Sequence, residues 1–545
     1  MFETRMKYLA LASFTVFSMG ACGEVPNAAG EAQPASNETP VASTNTKAAP
    51  SGDWPMWGHS TSRNMYNPNS GSLTIDFYPG DFIGASDEID PETSTNVKWI
   101  AKLGSQSYGN ATIADGRVYV GTNNDAPRFD KYKGDRCVLN CFDEETGELI
   151  WQINFPKLGT GKVSDWEFLG ICSSPAVEGD RVYFVSNLCQ VICADVNGMA
   201  DGNDGPFQDE AMLFGAKIKV GPPVELGPKD GDIIWTLNMI DECGVFPHNI
   251  TSSAVLVADD KLWVTTSNGV DYGHVETPAP FAPCLIQVDK KTGKLLGEES
   301  SGLSERIFHC NWTSPTWFET DDSKLGIFGG PDGWVYGFRP DPKENEEGYA
   351  ILDEAFRFDA NPAIYRERDG KPVRYVTVAG PSEVIATPVV YKNRVYVPIG
   401  QDPEHGEGAG NLVCIDPTKT GNSTESGMVW QFDQINRSVS TPSIVDDLVY
   451  VADYSGFVYC LDADTGELYW KHDTMSHIWG STLVADGKVF IGNEDGYLTI
   501  LKTGKEKELL GEIDMMSPIY SSPVAANGVL YVQTHTHLFA IKETP

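Results

Sequence analysis

The chain has 545 residues, and 40 basic against 76 acidic side chains give it a net charge of −36 at pH 7. A surface this acidic repels phosphate, which argues against nucleic acid as a partner and against docking on an anionic lipid surface. Hydrophobic residues at 41% and charged residues at 21% are the proportions of a soluble globular protein.

In chain order, residues 1–22 have the form of a targeting segment. Arg5 and Lys7 make a basic start, Tyr8 to Met19 an apolar stretch too short to span a bilayer, and Gly20 and Ala21 precede Cys22. The pattern resembles a bacterial lipoprotein signal, which implies lipidation of Cys22 and a place in the cell envelope, with Gly23 hinting at the outer membrane. Membrane contact is then expected only through that anchor. Residues 23–52, rich in Ala, Pro, Ser, Thr and Asn, read as a flexible tether.

Residues 53–545 carry one sentence pattern eight times. Its anchors are Ala111-Thr112, Ser174-Pro175, Ser253-Ala254, Ser314-Pro315, Thr387-Pro388, Thr441-Pro442, Ser481-Thr482 and Ser522-Pro523. Each is followed by a turn, a Val-Tyr-Val-like run, a loop, a short apolar run, and in the clearest copies Asp-x-x-Thr-Gly with a Trp, as in Asp462 to Trp470. Four short apolar runs per copy read as four antiparallel strands. A lone four-stranded sheet cannot bury both faces, but eight arranged radially can. The expected fold is all-β, an eight-bladed β-propeller. The last copy supplies only three strands, and an orphan run, Val97 to Lys102, precedes the first. Pairing that N-terminal strand with the last blade closes the ring.

Ten cysteines remain after Cys22. They read mainly as small apolar fillers between blades, with a bridge from Cys137 to Cys189 as an alternative. The segment containing Asp195, Asn197, Asp201, Asn203, Asp204 and Asp209 is dense in oxygen ligands and glycine, which suits calcium.

Strand direction alternates within a blade, so the turns between strands one and two and between strands three and four share one face. The opposite face gathers the blade-to-blade connections and the long loops 123–136, 268–283 and 401–410. Variable loops on a stiff scaffold are where function sits. His248, His309 and His477 each lie five or six residues before a first strand, at the rim of a central funnel. Asn249, Asp271, Asn311, Trp312, Arg437 and Trp479 join them as candidates for a small-molecule or metal site. Blades three and four adjoin, which puts His248 and His309 within reach of each other, whereas His477 is expected across the ring.

Trp54-Pro-Met-Trp57-Gly, the Asp-x-x-Thr-Gly-x-x-x-Trp turns from Asp143 to Trp151 and from Asp462 to Trp470, and eight copies resemble the pyrroloquinoline quinone (PQQ) propellers. That family holds calcium-dependent alcohol dehydrogenases and non-catalytic relatives such as the propeller lipoprotein of outer-membrane barrel assembly. The resemblance makes Asn268 a candidate calcium ligand. It also marks departures: Phe308 to Trp312 offers no carboxylate where the dehydrogenases place their base, Ser186-Asn187 none where they place a calcium Glu, and no Cys-Cys dipeptide or CxxCH haem site occurs. The expected function is therefore an envelope-anchored binding or scaffold module. Its funnel face would meet an envelope protein, a peptide or a small ligand. The alternative is a periplasmic quinoprotein oxidoreductase of alcohols or aldehydes with a divergent site, holding PQQ or a metal at His248, His309 and Cys310.

Overall fold

The computed structural model describes residues 52–216 and 221–543. The signal, Cys22 and all but the last tether residue lie outside the described residues. Among the described residues no helix is long and apolar enough to cross a membrane.

The described chain forms the eight-bladed propeller. Blade one is an antiparallel meander of Thr112–Ala114, Arg117–Asn123, Cys137–Asp143 and Leu149–Phe155. Six further blades repeat that order, and short extra strands extend some of them outward. Blade eight joins Val524–Ala526, Val529–Gln533 and His537–Ile541 to Val97–Lys102. Ile100 faces Phe539 and Lys102 faces His537 across that antiparallel seam. The expected closure is what the structure has.

The repeat motif has a packing reason. The Trp on one blade's outer strand slides under the Asp-x-x-Thr-Gly turn of the next. Asp462 accepts from the backbone of Asp464 and Thr465, which shapes the turn, and Gly466 sits at φ +74°. A Cβ there would stand 2.7 Å from the Trp430 ring, so only Gly permits both the turn and the contact. The Trp430 indole in turn donates to the Ala463 carbonyl at 2.9 Å. The same Trp and Gly meet at Trp99–Gly147 and Trp235–Gly293. All ten described cysteines are free, and most are buried; the Cys137–Cys189 bridge is not formed.

One segment ties the ring from beneath. Residues 54–67 run round the turn-side end of the central channel and bond to the first strand of blade after blade. Trp54 bridges Ile113, the Pro55 carbonyl accepts from Val177, Thr61 from Trp317 and Ser62 from Val390. Asn64 brackets Ile444, Tyr66 lies beside Val484, and Asn67 donates to the Ala525 carbonyl. Arg63 is fully buried and donates to the carbonyls of Pro315, Trp57 and Ala254, closing the gap at blades three and four. The acidic insert after this segment does not cap the funnel. Its hairpin Asp81–Phe82 with Ile89–Asp90 and its contacts to Asp486 and Lys102 hold it outside blades seven and eight.

Candidate functional site

The channel, sealed at one end, opens at the other into a funnel of about 420 Å³. Its wall is built from the residues that enter each first strand, including Asn110, Ser174, Trp312, Thr441 and Trp479, with Trp57 of the sealing segment among them. Trp57 donates to Thr387 Oγ1 at 3.0 Å, which fixes the indole. Trp479 stacks flat on Tyr520, with centroids 4.5 Å apart at 9°. Tyr108 packs its ring against Tyr520 at 5.5 Å.

Beside the funnel, four loops bring four imidazoles together. Residues 268–270 thread between two neighbouring chains through bridges from Pro247 to Asn268 and from Gly269 to Cys310. A Cβ at Gly269 would lie 2.5 Å from His248 Cβ, so the missing side chain is what lets the two histidine-bearing segments close up. His248 Nε2 and His309 Nε2 stand 2.9 Å apart. The carboxylate of Asp271 accepts from the backbone of Val275 and Glu276, holding the turn that carries His274 at φ +54°. His274 packs on His309 at 4.4 Å and on His248 at 4.9 Å. From blade five, the short helix Pro403–His405, capped by Asp402, stacks His405 on His274 at 5.4 Å.

The electrostatics follow from burial. His248 Nδ1 bonds the Val270 carbonyl at 2.7 Å, yet burial still lowers this imidazole to about 4. Burial, and then repulsion by its neighbours, lowers His309 further. His274 and His405 are lowered too, chiefly by burial, so all four rings are neutral at pH 7. Asp402, 3.7 Å from His309 Nδ1, is pushed by burial up to about 6. Glu383, fully buried beside the Cys310 amide, is pushed well above the carboxylate range. A neutral, lone-pair-rich cluster of this kind can bind a cation or accept from a polar ligand.

The residues singled out from sequence take distinct places. His248 and His309 do meet. His477 is not among the four packed imidazoles: it stacks on Tyr454 and lies 3.4 Å from Glu407 of the blade-five loop. Asn249 and Trp312 line the funnel, and the Trp312 indole donates to the Ile250 carbonyl. Arg437 is a clamp, donating to the carbonyls of Thr377, His405, Gly406 and Glu407 beneath the His405 loop. Asn311 is buried and finds no side-chain hydrogen-bond partner among the described residues. Cys310 does not join the imidazoles. Its thiol donates to the Ser267 carbonyl at 3.2 Å and burial pushes it far up, while it is His274 that packs on the other two rings. His274, His405, Asp402 and Glu383 were missed by sequence reasoning; the signal available was only the length of the loops that carry three of them.

In the segment read as calcium-binding, the side chains of Asp195, Asn197, Asp201 and Asn203 bond protein groups, while Asp204 and Asp209 are tied through their backbone. Asp195 pairs with Arg181 at 2.8 Å, and Asn197 accepts from Arg117 and donates to Asp201. Asn203 bonds Glu210, the Asp204 amide donates to Asp232, and the Asp209 carbonyl accepts from Met212 and Leu213.

The calcium and quinone set of the dehydrogenases does not fit. Asn268 spends its amide on the Phe246 amide, the Ala279 carbonyl and Ser304 Oγ. Asn187 donates to Asp165 and to the Pro156 carbonyl. No adjacent cysteine pair exists to stack a quinone.

Comparison with known proteins agrees with the fold. A family model described as "Outer membrane protein assembly factor BamB" matches residues 88–306 and 408–507, more than half of the chain. The chain is similar to BamB of Yersinia pestis, at 28% identity over 102 residues, which is 19% of this chain and 25% of that protein. It is also similar to the 1-butanol dehydrogenase (cytochrome c) of Thauera butanivorans, at 30% over 129 residues, 20% of this chain and 19% of that one. The match thus spans about a quarter or less of these relatives' length. Among solved structures, a europium-containing methanol dehydrogenase superposes with a TM-score of 0.51 at 11% identity, covering 88% of this chain and 89% of that one. BamB from Moraxella catarrhalis gives 0.47 at 13%, covering 82% and 99%. Repeat, ring and matched residues together place the chain in the PQQ-like propeller family described as outer membrane protein assembly factor BamB.

Proposed function

We propose that this propeller is an envelope-anchored binding or scaffold module whose loop-rich face holds another envelope protein. One observation carries the reading. The most exposed large apolar side chains crowd onto that face: Tyr272, Val275 and Phe281 on the blade-three loop, Ile364, Tyr375 and Val378 between blades four and five, and Met475 between blades six and seven, each at least 67% exposed. Apolar groups left in water on one face, around an aromatic funnel, are the signature of a docking surface. The face is rigid because the sealing segment and the closing strand lock the blades beneath it. The incomplete quinone set and the assembly-factor relatives favour this role over oxidoreductase chemistry.

The test is affinity isolation of the full chain from envelope extract, beside a Tyr272→Ser, Phe281→Ser, Tyr375→Ser variant. A reproducible partner that the variant loses supports the reading; equal recovery by both proteins, or no partner, removes it. The quinoprotein reading is tested on the same preparation by adding quinone and calcium. A bound chromophore with alcohol-dependent dye reduction would replace the docking account.

A further inference from the structure

We propose that His248, His274 and His309 form a site for one divalent first-row transition ion, zinc or copper(II), on the funnel rim. One ring nitrogen from each residue lies within 4.8 Å of the others, and no other such group of histidine, cysteine or acidic side chains occurs among the described residues. Three imidazoles suit these borderline ions and not calcium, which takes oxygen ligands.

The surroundings are arranged as they are around histidine ligands. The Nε2 atoms of His248 and His309 face each other, while each Nδ1 is turned toward an oxygen. His248 Nδ1 reaches the Val270 carbonyl at 2.7 Å, and His309 Nδ1 has the Asp402 carboxylate at 3.7 Å. Such outer partners fix the tautomer and aim the other nitrogen at a metal. His309 Nδ1 has no hydrogen-bond partner among the described residues, although the residue is 1% exposed. An ion that took His309 Nε2 would leave the proton on Nδ1, where a small movement of Asp402 would accept it.

The fit needs little rearrangement. Metal–nitrogen bonds of about 2.0–2.1 Å place tetrahedral ligand nitrogens about 3.3 Å apart. The His248–His309 pair at 2.9 Å need only separate slightly. His274 is exposed at the outer side, which gives an ion a way in and leaves room for a fourth ligand. Gly269 and the Asp271-held turn bring these three rings together. This site does not depend on the docking face holding a partner.

The test uses the full chain, stripped with chelator and titrated separately with zinc, copper(II) and calcium by calorimetry, with electron paramagnetic resonance on the copper form. One equivalent of zinc or copper binds, calcium does not compete, and the copper spectrum shows coupling to imidazole nitrogens. His309→Ala and His248→Gln each weaken binding about 100-fold or more, beyond the roughly 10–100-fold that outer partners carry. His274→Ala, a surface change that leaves the fold intact by circular dichroism, weakens it too. His472→Gln, on an outer strand of blade six, leaves it unchanged. Absence of stoichiometric binding to the wild type, or equal binding by the folded His274→Ala protein, would overturn the assignment.

Discussion

Arg63 Nε donates to the Pro315 carbonyl at 2.8 Å, joining the N-terminal segment to blade four across 252 positions of sequence. The same guanidinium satisfies Trp57 and Ala254, so one buried cation holds the floor of the funnel to two blades. Removing it strands three buried carbonyls. Arg63→Met is expected to cost about 3 kcal/mol or more. Equilibrium unfolding in denaturant measures it, and a loss under about 1 kcal/mol would show that the seal is not structural.

The blade seams give a second expectation. At Gly466 a methyl group meets both a left-handed backbone and the Trp430 ring 2.7 Å away. Gly466→Ala is expected to destabilise by about 2 kcal/mol, of which the backbone alone contributes about 1–2. Gly116→Ala is the comparison, at nearly the same φ of +76° but with open space around its Cβ position. Thermal melts of the two variants should differ; equal melts would refute the seam account.

Closure carries a pH signature. His537 stands opposite Lys102, with Asp87 nearby and Thr536 on its Nδ1. Burial, and then Lys102, lower it to about 4, whereas the unfolded imidazole titrates near 6.5. Between those values the unfolded chain holds the extra proton. Stability from this residue is therefore complete above about pH 6.5 and is lost as pH falls toward 4. His537→Gln should show a shallower fall in melting temperature from pH 7 to 4.5 than the wild type. A parallel fall would exclude His537 as a contributor.

Much of this was legible in the sequence, for reasons that lie in particular residues. The ring could be read because Trp430, Gly466 and their counterparts recur where each seam needs them. Val97–Lys102 was legible because the last copy lacks a fourth strand. His248 and His309 could be placed because both precede first strands at a fixed offset. His274 and His405 could not, since a long loop folds by its own turns: Asp271 and Asp402 set those turns through backbone bonds that leave no period. The sealing segment was equally silent. Trp54 and Trp57 were visible as a family mark, but residues 54–67 reach all eight blades mostly by single bonds, and only the two residues Tyr66–Asn67 pair as a strand.

The account turns on which face of the ring meets a partner, and site-specific photocrosslinking in intact cells reads that directly. A benzophenone side chain is placed at Tyr272 or Tyr375 on the loop-rich face, and at Glu178 or Glu467 on the turn face. The account predicts one discrete adduct from the first pair and none from the second. Adducts from Glu178 and Glu467, with none from Tyr272 and Tyr375, would contradict it.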